Sequence, residues 1–237
     1  MQWDNVLGVA VIMGLFGLLI LIPLWPGEKQ GVRVLRRWGV SDPGPADVGE
    51  AVRYLRRRRF WYPWLFLGLP ALATASGLDK LRDAGPLLVL VTLLFGGLIA
   101  EVLAQRPTRA RQREATLDPR GVLDLIPLWG LLSYVAIVAI TAVWLAIGRA
   151  WLLLGVVAAV AVLTWLIVLL AVRRPSTGDS AVDRALRTRS VRVSTGLGAA
   201  TTAVLAAPVT EVVTWLLLLA AVTVWINLAG GDRAVRA

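Results

Sequence analysis

Three carboxylates stand where an apolar sequence seldom carries them. Glu101 is set among Ala100, Val102 and Leu103, Asp124 opens LDLIPLW four residues after Arg120, and Glu211 follows Pro208 into a further apolar run. In low dielectric a carboxylate either takes up a proton or needs a cation from a neighbouring helix. An ionisable side chain within a membrane span marks an ion, proton or substrate pathway by default. Glu101, about one turn inside its run, forms with Asp124 the candidate intramembrane polar pair of a small ion- or proton-coupled transporter. Simpler accounts stand beside it: an interfacial pair of Asp124 with Arg120, and Glu211 as an anion at a helix N-terminus. A second chemistry is raised by two DxxxD spacings, DKLRD at 79–83 and DSAVD at 179–183. Paired aspartates can hold magnesium against a diphosphate. Asp179 and Asp183 are thus candidates for a Mg-dependent lipid or prenyl-diphosphate enzyme.

Composition removes much other chemistry. The 237 residues include no cysteine and no histidine. Disulfides, thiolate metal sites, histidine-ligated haem and zinc, and histidine-based triads are therefore excluded. No nucleotide-binding motif is present, so ATP-driven work would need a separate ATPase subunit. No cofactor and no metal are called for. The chain reads as a non-catalytic component, transport-associated or scaffolding, before it reads as an enzyme.

The elements that must position these residues are membrane helices. Hydrophobic residues make up 57% of the chain and charged residues only 17%, yet the net charge is +10. Of 25 basic residues only Lys29 and Lys80 are lysine, a bias that with abundant Ala, Val, Leu and Gly looks like bacterial GC-rich coding. A bilayer core needs about 20 apolar residues per helix. Seven stretches qualify, at about 6–25, 60–78, 86–105, 121–147, 150–172, 191–207 and 209–229. Basic residues number nine, five and six in the segments at 26–59, 106–120 and 173–192 and two in the C-terminal tail, against two, one and none in the alternate connections. Short-loop Lys/Arg asymmetry puts the basic side in the cytoplasm. The expectation is an all-α polytopic bundle in a bacterial inner membrane, N-terminus out and C-terminus in. Tryptophan prefers the interface, and of eleven only Trp165 falls clearly inside a span.

The stretch LRRRRFWYPWLF at 55–66 then makes physical sense. Arg56, Arg57, Arg58 and Arg59 meet anionic headgroups, Phe60 to Trp64 form the interfacial belt, and Leu65 onward enters hydrocarbon. Such arginines contribute about 1 kcal/mol each near anionic lipid. The basic segments also hold amphipathic helices able to lie on the inner leaflet: VRVLRRW, PADVGEAVRYLRRRR with Val48, Val52 and Leu55 on one face, and DSAVDRALRTRSVRV with Val182, Leu186 and an Asp183–Arg187 pair. In the sixth span, STGLGAATTAVLAA, Gly198, Thr202 and Ala206 share a face suited to close helix packing. Basic segments of 15 to 33 residues leave little room for a nucleic-acid-binding module.

RYLRRRRFWYPWLF, ATLDPRGVLDLIPLW and DRALRTRSVRVSTG, about a fifth of the chain, resemble uncharacterised polytopic membrane proteins of bacteria. That resemblance implies a multi-pass inner-membrane fold and carries over no catalytic residue. The DxxxD spacing resembles intramembrane prenyltransferases. Their Asn four residues before an Asp pair is replaced here by Pro175, and the threading puts the two pairs on opposite sides of the membrane.

Overall fold

The computed structural model describes residues 25–75, 86–105, 121–173, 180–206 and 211–230, with several residues of the apolar segment between 8 and 22. Every regular element among them is helical. Helix α1 spans Glu28–Arg37, with Glu28 in its first turn and Arg36 and Arg37 in its last, matching the helix dipole at both ends. Gly39 ends it with a φ of +94°, and the Val40 N–H returns to the Leu35 carbonyl at 3.0 Å. Helix α2, Pro45–Phe60, starts on a proline, and the Asp47 carboxylate accepts from the Gly44 N–H at 2.9 Å. After Trp61 the chain continues directly as α3, Tyr62–Ala75, with Pro70 inside it. Helix α4 covers Pro86–Ala104.

A single 3-10 turn, Val122–Asp124, precedes α5, Leu128–Ile147. The expected span from 121 therefore begins later, because Pro127 stands outside the helix and sets its start. Helix α6, Trp151–Arg173, returns antiparallel after a connection in which Arg149 adopts a φ of 53°, the left-handed region usually left to glycine. Helix α7 spans Ser180–Leu205 and α8 spans Glu211–Ala229.

The amphipathic stretch at 180–190 and the expected sixth span are thus one unbroken helix. It is also the centre of the molecule, packed by α4, α5, α6 and α8. Its C-terminal half buries Leu197, Ala199, Ala200, Ala203 and Val204 almost completely. Small side chains make that possible. A Cβ on Gly196 would lie 2.5 Å from the Trp225 ring, and one on Gly198 would lie 2.4 Å from Thr164 Oγ1 and 3.1 Å from the Tyr134 ring. The hydroxyls of Ser194, Thr195 and Thr201 are answered within the helix, Thr201 donating to the Leu197 carbonyl at 2.7 Å.

The surrounding helices invert the pattern of a soluble protein. Val135, Val143, Val162, Leu166, Leu216 and Leu219 all face outward, a greasy surface of the kind that needs lipid or a partner to cover it. Three helices among the described residues are long and apolar enough to cross a membrane: Leu128–Ile147, Trp151–Arg173 and Val212–Ala229. Their 20, 23 and 18 residues extend about 27–35 Å at 1.5 Å per residue. At one end of the bundle α1 and α2 pack together. Leu35, Val48, Val52, Leu55, Val182 and Leu186 form one core there with Ala104. The apolar stripes of α1 and α2 are therefore covered by protein rather than laid on a lipid surface.

Two glycine substitutions should move stability in opposite directions. Gly198→Ala should cost about 1–3 kcal/mol, since its methyl has no room. Gly155→Ala, with nothing within 4 Å, should gain up to about 1 kcal/mol of helix propensity. Thermal unfolding in detergent measures both.

Candidate functional site

Where α2 crosses the end of the bundle, three helices bring polar side chains together. Tyr54 and Arg58 lie one turn apart on α2, on the stripe that also carries Ala51 and Leu55. Glu101 and Gln105 lie one turn apart at the end of α4, and Arg187, Arg189 and Ser190 come from the N-terminal half of α7. Glu101 is fully buried. Its Oε2 pairs with Arg58 Nε at 2.8 Å. Its Oε1 accepts from the Tyr54 hydroxyl and from Ser190 Oγ, the latter at 2.7 Å. Gln105 Nε2 donates to Ser190 Oγ at 2.7 Å, and Arg189 donates to the Tyr54 hydroxyl at 3.0 Å while lying over its ring.

The remaining inward arginines of α7 have separate tasks. Arg187 pairs with Asp183 at 2.6 Å and donates to the Ala171 carbonyl at 3.0 Å, answering one of the orphan carbonyls at the end of α6. Arg192 donates to the Leu125 carbonyl at 3.2 Å and sits over the Trp38 ring.

Protonation follows from these surroundings. Burial, then the nearby Glu101 charge, pushes the Tyr54 phenol above its ordinary range, so it stays a donor. Burial works against the Arg58 charge, yet Tyr62, Glu101 and Tyr54 outweigh it and raise its pKa. Arg59 is pushed down by partial burial and then by Arg58 beside it. A buried ion pair gives little net stability relative to apolar packing, but removing one partner strands the other charge. The junction acts as a fastening. A cavity beside it, lined by Tyr54, Gln105, Leu186, Arg187 and Ser190, holds about 10 Å³, about the space one water occupies. No organic substrate fits there.

The residues singled out by sequence are dispersed. Both oxygens of Glu101 are engaged by α2 and α7, and Asp124 is not among its partners. Asp124 is exposed and accepts from the Gly121 N–H at 2.7 Å within its own turn. Asp183 is buried against Arg187, and Asp179 lies outside the described residues, as do 79–83. Among the described residues no three His, Cys, Asp or Glu side chains group as metal ligands would. The four-arginine block divides: Arg56 and Arg57 are exposed, while Arg58 and Arg59 are half-buried and turn to Glu101 and to Gln30. Thr202 and Ala206 are fully buried, with Gly198 in the packing already described. Sequence reasoning missed Tyr54, Gln105, Arg189 and Ser190. The i, i+4 spacings Tyr54–Arg58 and Glu101–Gln105 were the available signal.

No family model, curated protein or solved structure matches the chain. Fold and site still define a class: an all-helical protein with helices able to cross a membrane, closed at one end by a buried ionic junction.

Glu101→Gln and Arg58→Gln should each destabilise by about 3–5 kcal/mol, and the double variant should recover much of that loss. Unfolding of the four proteins in detergent completes the cycle; additive losses would mean that the pair is not coupled. A raised phenol pKa stabilises the fold at pH values below the unfolded value of about 10, and that contribution fades as pH rises through the folded value. Stability of the wild type should therefore fall above about pH 10 more steeply than that of Tyr54→Phe.

Proposed function

We propose that the chain is a multi-pass protein of the bacterial cytoplasmic membrane, crossing seven times with its N-terminus outside and C-terminus inside. In this reading it is a non-catalytic component, a transport-associated subunit or a scaffold. Its basic cytoplasmic face engages anionic headgroups and a partner membrane or ATPase subunit. The observation that carries the reading is the closure around Glu101. A carboxylate held at once by Arg58, Tyr54 and Ser190 has neither oxygen open to an ion or substrate. Its burial against three helices suits a fixed joint better than a relay. The exposed Arg56 and Arg57, next to exposed Phe60 and Trp64, support a face at the headgroup level.

Because the chain has no cysteine, single cysteines report its threading cleanly. An impermeant thiol reagent applied to intact cells should tag position 76 and spare positions 108 and 177. The reverse pattern overturns the topology. In sealed vesicles, a pH gradient should decay at the same rate with wild type, with Glu101→Gln and without protein. Faster decay that Glu101→Gln abolishes would establish proton coupling instead.

A further inference from the structure

We propose that an apolar groove next to the basic cluster seats one acyl chain of an anionic glycerophospholipid, whose phosphate is held by Arg56 and Arg57. The inference rests on the reading that the α2–α3 junction lies at the cytoplasmic surface of the bilayer. The groove holds about 250 Å³ and runs between the apolar segment of residues 11–18 and the start of α3. Val11, Leu15, Leu18, Pro63, Trp64 and Leu67 line it, and none of these side chains carries a charge. Two glycines bring its walls together. A Cβ on Gly17 would lie 3.0 Å from Phe66 and 3.1 Å from the Pro63 backbone, and one on Gly14 would lie 3.3 Å from Leu67. Beside that contact Leu15 and Leu18 remain about half exposed and Trp64 more so, at 57%, 46% and 59%.

Charge decides the occupant. Arg56 Nε donates to the Pro26 carbonyl at 3.2 Å, and Arg59 donates to Gln30 Oε1 at 2.9 Å. Both contacts tie α2 to the chain that follows the first wall, so the guanidinium groups stand at one end of the groove. Within the four-arginine block Arg58 is turned inward to Glu101, and Arg56 and Arg57 are the exposed members. Exposed Trp25 precedes the Pro26 that Arg56 contacts, and exposed Phe60 and Trp64 follow the arginines along the chain, as aromatic side chains do at a headgroup boundary. From Arg57 to Trp64 the nearly continuous helix advances about 10 Å, comparable to an interfacial layer about 5–8 Å thick per leaflet. A phosphate at the arginines and an alkyl chain along Leu15, Leu18 and Leu67 match this arrangement. A second copy of this chain would bring the same positive charge to the same place.

The test uses delipidated full-length protein in mild detergent, titrated with short-chain phosphatidylglycerol, phosphatidylcholine of the same chains, or inorganic phosphate, with Tm as the readout. Phosphatidylglycerol should raise Tm saturably. Phosphatidylcholine should bind at least tenfold more weakly, and phosphate alone should leave Tm unchanged. Leu15→Trp, which fills the groove, and the pair Arg56→Gln with Arg57→Gln should each weaken phosphatidylglycerol about tenfold. Leu18→Trp replaces Leu15→Trp should that variant fail to elute as a single species. Unaltered binding by the groove-filled variant removes the acyl-chain seat. If the arginine pair still weakens binding, the basic-face reading survives that loss; if neither variant matters, both fall. Equal binding of the two lipids, equal stabilisation by phosphate, or a native mass of two copies would also overturn the proposal.

Discussion

A carboxylate with no exposed surface sets the terms for one whole end of this molecule. Glu101 sits in the last turn of an apolar helix, where an unpaired charge would be untenable. Its satisfaction requires Arg58 and Tyr54 from α2 and Ser190 from α7 at the same time. That requirement fixes how α2 crosses the bundle. It also places the core of Leu35, Val52, Leu55 and Val182 directly alongside, so polar and apolar contacts hold the same joint. Neither would suffice alone: the apolar faces of α1 and α2 have no directional preference, and the ion pair gives direction with little net stability.

The rest of the bundle follows the logic of a chain dissolved in lipid. The helices richest in Leu and Val lie outside, and the one richest in Gly, Ala, Ser, Thr and Arg lies at the centre. With lipid outside there is no hydrophobic drive between helices, so close packing and internal hydrogen bonds take over. Gly196 and Gly198 admit Trp225, Thr164 and Tyr134 to the backbone of α7. The buried hydroxyls of Ser194 and Thr195 share the Val191 carbonyl.

How much of this was readable in the residues differs by element. The α2 stripe of Val48, Val52 and Leu55 was plain from its spacing, and so was the Asp183–Arg187 pair. The fate of the arginine block was half readable. Four consecutive helical residues sweep about 300° around the axis, so with Leu55 facing inward Arg58 could not share the outlook of Arg57. Hydropathy split α7 at residue 191 because Arg184, Arg187, Arg189 and Arg192 interrupt its apolar run. Three of those charges are answered by Asp183, Tyr54 and the carbonyls of Ala171 and Leu125, and apart from Asp183 these partners lie too far away in sequence for a hydropathy window to register. The Glu101–Asp124 pairing failed to form for a local reason: Pro127 holds Asp124 in a separate turn ahead of α5.

Ser190 and Gly198 belong to one uninterrupted helix, eight residues or about 12 Å apart. Any twist of α7 that withdrew Ser190 from Glu101 would swing the bare backbone at Gly198 away from Thr164 and Tyr134 by the same angle, and drive its bulkier neighbours Leu197 and Ala199 toward them. The cap formed by α1 and α2 therefore has no swivel of its own. It moves as a handle on a key, and whatever grips it also grips the core of the helix bundle.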